Sequence, residues 1–155
     1  MTPSAPLDDP QIPVKIQLAA AWTSFMFLYL YVDHLVLYKP GHLQRILEGY
    51  VWEFEVSQSF LVMAFTSVAI PALMILASLI LSAPAARITS LVVGLIYIPY
   101  SAINAAGETW AIFFGFSIGL ELLLLAFILR TAWTWPRSGA EDPGLRGPTS
   151  AGRSR

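Results

Sequence analysis

Four stretches of mostly apolar residues, at about 16–38, 59–81, 88–106 and 110–133, fill most of this 155-residue chain. A run of roughly 20 such residues crosses about 30 Å of hydrocarbon as a helix. Only a helix or a closed barrel satisfies its own backbone hydrogen bonds there. The pattern therefore predicts an all-α integral membrane four-helix bundle with antiparallel spans. The connections at 82–87 and 107–109 are short, which places the last three helices side by side. Little chain remains for a separate catalytic domain.

Composition supports that reading. The chain is 56% hydrophobic and 12% charged, with a mean hydropathy of +0.64, far more apolar than a soluble domain of this length. A net charge of −1 supplies no basic face for nucleic acid. With no cysteine, disulfides, iron–sulfur clusters and thiol redox chemistry are excluded. There are two histidines, His34 and His42, and His34 alone falls in an expected span, so a bis-histidine haem within one chain is not expected. No cofactor or metal is expected.

Residues 1–14 are expected to form a flexible cytoplasmic N-terminus, 15–135 the membrane domain, and 136–155 a disordered basic cytoplasmic tail. The first run is read as a retained helix. Asp8 and Asp9 precede it, no basic residue comes before Lys15, and no small-residue cleavage site follows. Lys15, Arg87, Arg130, Arg137, Arg146, Arg153 and Arg155 fall on one side of the membrane, and Lys39 and Arg45 on the other. The positive-inside rule then puts both termini in the cytoplasm. The tail is rich in Pro, Gly, Ser and Arg, which reads as a topology determinant that touches anionic lipid.

Between the first two spans, Tyr38-Lys39-Pro40-Gly41 reads as a helix stop and turn. Leu43, Ile46, Leu47, Tyr50 and Val51 then recur at helical spacing, opposite Gln44, Arg45 and Glu48, as in a short amphipathic interfacial helix. Trp52, Phe54 and Val56 alternate with Glu53 and Glu55, extending that helix or anchoring the entry to the second span. A membrane-hugging connector and a lid over a pocket both fit.

Chemistry is concentrated in two carboxylates. Glu121 lies near the middle of the fourth run, and Asp33 lies inside the first. A charge at the centre of a span costs at least about 2.5–3.5 kcal/mol, so such groups face the protein interior and mark functional sites by default. Trp22, Met26, Tyr29 and Asp33 share one stripe of the first span, and His34 lies roughly 100° away. On the third, Ser90, Gly94, Tyr97, Ser101, Asn104 and Glu108 make a small, polar stripe. On the fourth, Trp110, Phe114, Ser117 and Glu121 align, and Gly115-x-x-x-Gly119 allows close helix approach. Brought into one bundle, Tyr29, Asp33, Tyr97, Ser101 and Asn104 would line an outward-facing polar cavity with Glu121 at its floor. His34 and Glu108 are secondary candidates. Pro71 and Pro99 each free a backbone carbonyl, as a polar interior would tolerate.

Each feature has a plainer reading. Glu121 as a hydrogen-bonded carboxyl would fix helix register, and the aromatic stripe would be packing. Asp33 and His34, adjacent on a helix, do not face each other and are expected to act independently.

The run Pro13-Val14-Lys15-Ile16-Gln17-Leu18-Ala19-Ala20-Ala21-Trp22, with Met26-Phe27-Leu28-Tyr29, Asp33 and Leu37-Tyr38-Lys39-Pro40-Gly41, resembles a family of small bacterial four-span membrane proteins. Val68-Ala69-Ile70-Pro71-Ala72-Leu73-Met74 and Ala132-Trp133-Thr134-Trp135-Pro136 carry the same resemblance. That family is a domain of unknown function. The resemblance implies a bacterial cytoplasmic-membrane protein and no particular activity. It carries over Trp22, Tyr29, Asp33, Tyr38, Pro40, Gly41 and Pro71 as pattern positions only. By architecture alone, the chain is similar to DoxX-type four-helix bundles linked to quinone-associated enzymes.

Three functional classes follow. One binds or transports a small hydrophobic or cationic molecule, or a proton, through the cavity. A second is a non-catalytic membrane subunit that packs against another membrane protein or its own copies. The third, a lipid- or quinone-linked enzyme, lacks a nucleophile–base pair, a metal cluster or a phosphate loop, so the chain is not expected to be an enzyme. Beyond these partners, the expected surroundings are the lipid bilayer.

Overall fold

The computed structural model describes residues 10–104 and 108–136. Helix accounts for 78% of it. The elements are α1 (Val14–Val36), α2 (His42–Leu47), β1 (Tyr50–Val51), β2 (Phe54–Glu55), α3 (Gln58–Ile80), α4 (Ala83–Asn104) and α5 (Ala111–Trp133). The expected N-terminal segment before residue 10, the tail beyond 136 and the end of the third span at 105–106 lie outside the described residues.

Three helices, α3, α4 and α5, are long and apolar enough to cross a membrane. They make this a membrane protein. Four such spans were expected, and α1 does not reach the same hydropathy. It is as long as α3, but Gln17, Thr23, Ser24, Asp33 and His34 interrupt its apolar run. The outer surface is apolar: Phe65 is 73% exposed and Ile112 is 91% exposed. Exposed aliphatic and aromatic surface on this scale belongs against lipid rather than water.

Most helix ends fall within a few residues of the expected spans. The larger difference is α4, which begins at Ala83 rather than 88. Pro84 sits in its first turn, where a missing N–H costs nothing, and the Ala86 N–H donates to the Ser82 carbonyl at 2.8 Å. Hydropathy locates the apolar body of a span and overlooks such a start. At the head of α3, the Ser57 hydroxyl accepts from the Phe60 N–H at 3.2 Å, an N-cap.

The loop after α1 also differs from expectation. Its amphipathic helix ends at Leu47, because Gly49 takes φ +89°, and a hairpin follows. Tyr50 pairs with Glu55 and Val51 with Phe54. Of the run Trp52 to Val56, Phe54 and Glu55 therefore form a strand, and Trp52 sits in the turn at φ 52° with its carbonyl accepting from Arg45.

α1 packs on α3 and α5, α4 packs on α5, and the contact between α3 and α4 is thinner. Basic side chains secure one end of these pairs. Lys15 Nζ donates to the Leu79 and Leu81 carbonyls at 3.3 and 2.6 Å, and Arg87 Nε donates to the Ala132 carbonyl at 3.1 Å. Both cations therefore sit against the free carbonyls of a helix C-terminus. The largest fully buried side chains are Leu18, Trp22 and Phe25 from α1 with Leu125 and Ile128 from α5. Close approach occurs at Gly94, where an added Cβ would meet Leu129 Cδ2 at 3.0 Å. Gly115 and Gly119, expected to serve that purpose, have nothing within 4 Å.

Candidate functional site

Pro71 organises the first part of the site. Lacking an N–H, it leaves the Ser67 carbonyl without its helical donor. The Tyr97 hydroxyl, from α4, donates to that carbonyl. Tyr97 is thus a buried structural partner of α3, with its proton already committed, rather than a free cavity wall. The edge of the Phe25 ring against Tyr97, with centroids 5.8 Å apart, holds the phenol in place. Tyr97→Phe is expected to cost about 1–3 kcal/mol, the penalty for an unsatisfied buried acceptor. Adding Pro71→Ala restores a local donor and should recover part of the loss, read by thermal unfolding in detergent. No recovery would show that the phenol contributes by packing alone.

Tyr29, one helix away, donates to the Tyr100 hydroxyl at 3.2 Å. Tyr29, Tyr97 and Tyr100 form a contiguous aromatic cluster across α1 and α4. Tyr100 was missed in the sequence. Its signal was present, since it lies one turn beyond Tyr97 on α4.

Glu121 carries the second part. Its side chain comes from the middle of α5 and is 4% exposed. The Ser101 hydroxyl lies beside it, and Asp33 lies within electrostatic range. Ser101 is itself fully buried and unpartnered. Ser117, one turn above Glu121, is buried and spends its proton on the Phe113 carbonyl at 2.9 Å. One and two turns further along α5, Leu125 and Ile128 close a dry layer with Phe25. The polar group is therefore sealed on the side of Lys15 and Arg87.

The remaining candidates are placed differently. Asp33 is exposed, although it lies near both Glu121 and Tyr29. It occupies the last turn of α1, which has no further turn to close over it. Asn104 is half-buried at the end of α4. His34 is exposed on the flank, its ring edge-on to Tyr38 at 5.8 Å. Glu108 belongs to a tie rather than to the polar group: Lys39 Nζ meets its carboxylate at 2.5 Å and lies 6.0 Å from the Phe114 ring centroid. That pair joins the outgoing end of α1 to the start of α5. Sequence spacing had linked Glu108 to the α4 stripe and offered no sign of Lys39, because the contact joins two connecting segments.

The cluster therefore combines one enclosed carboxyl, one unpartnered hydroxyl and a second carboxylate at the rim. Carboxyl groups so placed have the chemistry to attract a cation or exchange a proton. Among the described residues, no three His, Asp or Glu side chains converge on a point suited to a metal ion.

The model of a family of unknown function, DUF6326, matches residues 13–140. No curated protein and no solved structure matches the chain. The match covers most of the sequence, and the chain belongs to that family.

Proposed function

We infer that this member of the DUF6326 family binds or transports a small cationic or amphipathic molecule, or a proton, at Glu121. The reading takes the protein as an antiparallel four-span bundle of the bacterial cytoplasmic membrane, with both termini inside. Lys15 against the end of α3, and Arg87 against the end of α5, support the antiparallel order. Because α1 contributes Leu18, Trp22 and Phe25 to the core shared with α5, it is read as the fourth span. Lys15, Arg87 and Arg130 gather at one end and Lys39 and Arg45 at the other, as the positive-inside rule expects of the cytoplasmic face.

One observation carries the reading: a carboxyl only 4% exposed lies beside Ser101, a fully buried hydroxyl without a hydrogen-bond partner. A buried hydroxyl left open beside an acid suits a bound solute or a proton carrier better than a purely structural contact. Access is assigned to the Asp33 side, since Phe25, Leu125 and Ile128 close the other.

A non-catalytic membrane subunit is the second reading, favoured by the open face at Gly115 and Gly119. Small residues with no neighbour in their own chain suit helix contact with another one. Native mass spectrometry in lipid discs, combined with dye-reported proton uptake, separates the two. A low-mass ligand or proton uptake in wild type, lost at least tenfold in Glu121→Gln, supports the site. Equal behaviour of both proteins, with a partner chain attached, supports the subunit instead.

A further inference from the structure

A groove of about 400 Å³ runs between α3 and α4, lined by Met63, Thr66, Ser67, Ile96, Tyr97 and Tyr100, with Ile70 at its edge. Neither Glu121, Asp33 nor Ser101 lines it, so it is separate from the carboxyl site. Its size falls within the roughly 300–1,000 Å³ of small-molecule sites. It opens between α3 and α4, a pair whose contact is thinner than that of α4 with α5, and its margins are apolar and exposed: Met63 at 62%, Ile96 at 58% and Ile70 at 41%. In a membrane those margins face hydrocarbon, so whatever enters comes from the bilayer.

The polar groups inside select the occupant. Thr66 donates to the Val62 carbonyl, Ser67 to the Ala64 carbonyl and Tyr97 to the Ser67 carbonyl, so three of the four hydroxyls are spent on backbone. Tyr100 is the exception. It accepts from Tyr29 and has no acceptor for its own proton among the described residues. No charged side chain lines the groove. A lone hydroxyl donor in hydrocarbon is costly unless filled, and here it suits a neutral carbonyl rather than a phosphate. Its level fits too: Tyr100 lies four residues, about 6 Å, from the end of α4, just inside the hydrocarbon boundary.

We propose that this groove holds one phospholipid of the surrounding bilayer. Its ester carbonyl accepts from Tyr100, and its acyl chain lies along Met63, Ile70 and Ile96. The lipid completes the chain of hydroxyls from Tyr29 and covers the gap that α3 and α4 leave.

The test is native mass spectrometry of the full chain released from discs of ester-linked phosphatidylethanolamine and phosphatidylglycerol. Wild type should retain one phospholipid, and Tyr100→Phe should retain at least tenfold less. Met63→Trp fills the groove mouth without touching the tyrosines and should also release the lipid. Discs of the ether-linked analogues, which lack the carbonyl, repeat the test on unaltered protein and should reproduce the Tyr100→Phe result. Equal retention of ester and ether lipids overturns the proposal, as does a wild type that emerges bare or carries a solute that is not a phospholipid. Glu121→Gln should keep its lipid, so loss of the carboxyl site and loss of this one are distinguishable.

Discussion

Glu121→Leu is expected to stabilise the protein by about 1–3 kcal/mol, because it removes a carboxyl buried between apolar helices. The group is 4% exposed and lies beside the buried Ser101 hydroxyl. A leucine of similar reach would meet the neighbouring Leu125 and leave Ser101 as it already is. The sign of the effect separates two accounts of the residue. A carboxyl kept to fix helix register would be missed, and its replacement would destabilise the bundle. One kept for binding is a stability cost retained for function, so stability should rise while activity disappears. Unfolding of the two proteins in the same detergent, by heat or by titration with a denaturing surfactant, gives the answer. A lower midpoint for Glu121→Leu would assign the carboxyl to structure and remove the main support for a ligand site.

Trp22→Ala should produce the largest loss of stability of any single core truncation, at about 3 kcal/mol or more. Trp22 is fully buried in the core that α1 shares with α5, and its ring meets that of Phe25 on the same helix edge-on at 5.9 Å. In lipid the transfer contribution is small, because the unfolded reference is apolar as well. What remains is the cavity and the lost dispersion contacts, both large for an indole. Trp22→Phe is a different experiment. The indole N–H has no acceptor among the described residues, so its removal leaves no partner unsatisfied. The phenylalanine variant should stay within about 1.5 kcal/mol of wild type, as a conservative apolar exchange does. If Phe costs as much as Ala, a buried water holds the N–H, and Trp22 belongs to a polar network rather than to packing alone.

The sequence was most informative where the physics is local. An apolar run of about 20 residues must be helical in hydrocarbon whatever surrounds it. α3 and α5 were therefore legible almost to the residue, and α4 in its apolar body but not in its start at Ala83. The buried carboxyl was legible for the same reason, since Glu121 sits where an unpaired charge is least tolerated. Proline chemistry was half visible: Pro71 announced a freed carbonyl, but not that Tyr97 from another helix would satisfy it. The hairpin after α2 was hidden by its neighbour, because five residues of strand alternation beside a helical repeat can continue either pattern until Gly49 at φ +89° breaks it.

The helical nature of the apolar runs and the presence of a buried acid were thus determined by the sequence alone, since both depend on the solvent and on the chain's own periodicity. Only the tertiary structure decided which stripes meet. It left Asp33 open at the rim, committed Lys15 and Arg87 to helix ends, paired Lys39 with Glu108, and moved close helix approach from Gly115 and Gly119 to Gly94. Those outcomes depend on the rotation and register of one helix against another. Both are set by how side chains from distant parts of the chain fit together, and spacing within a single helix carries no record of that fit.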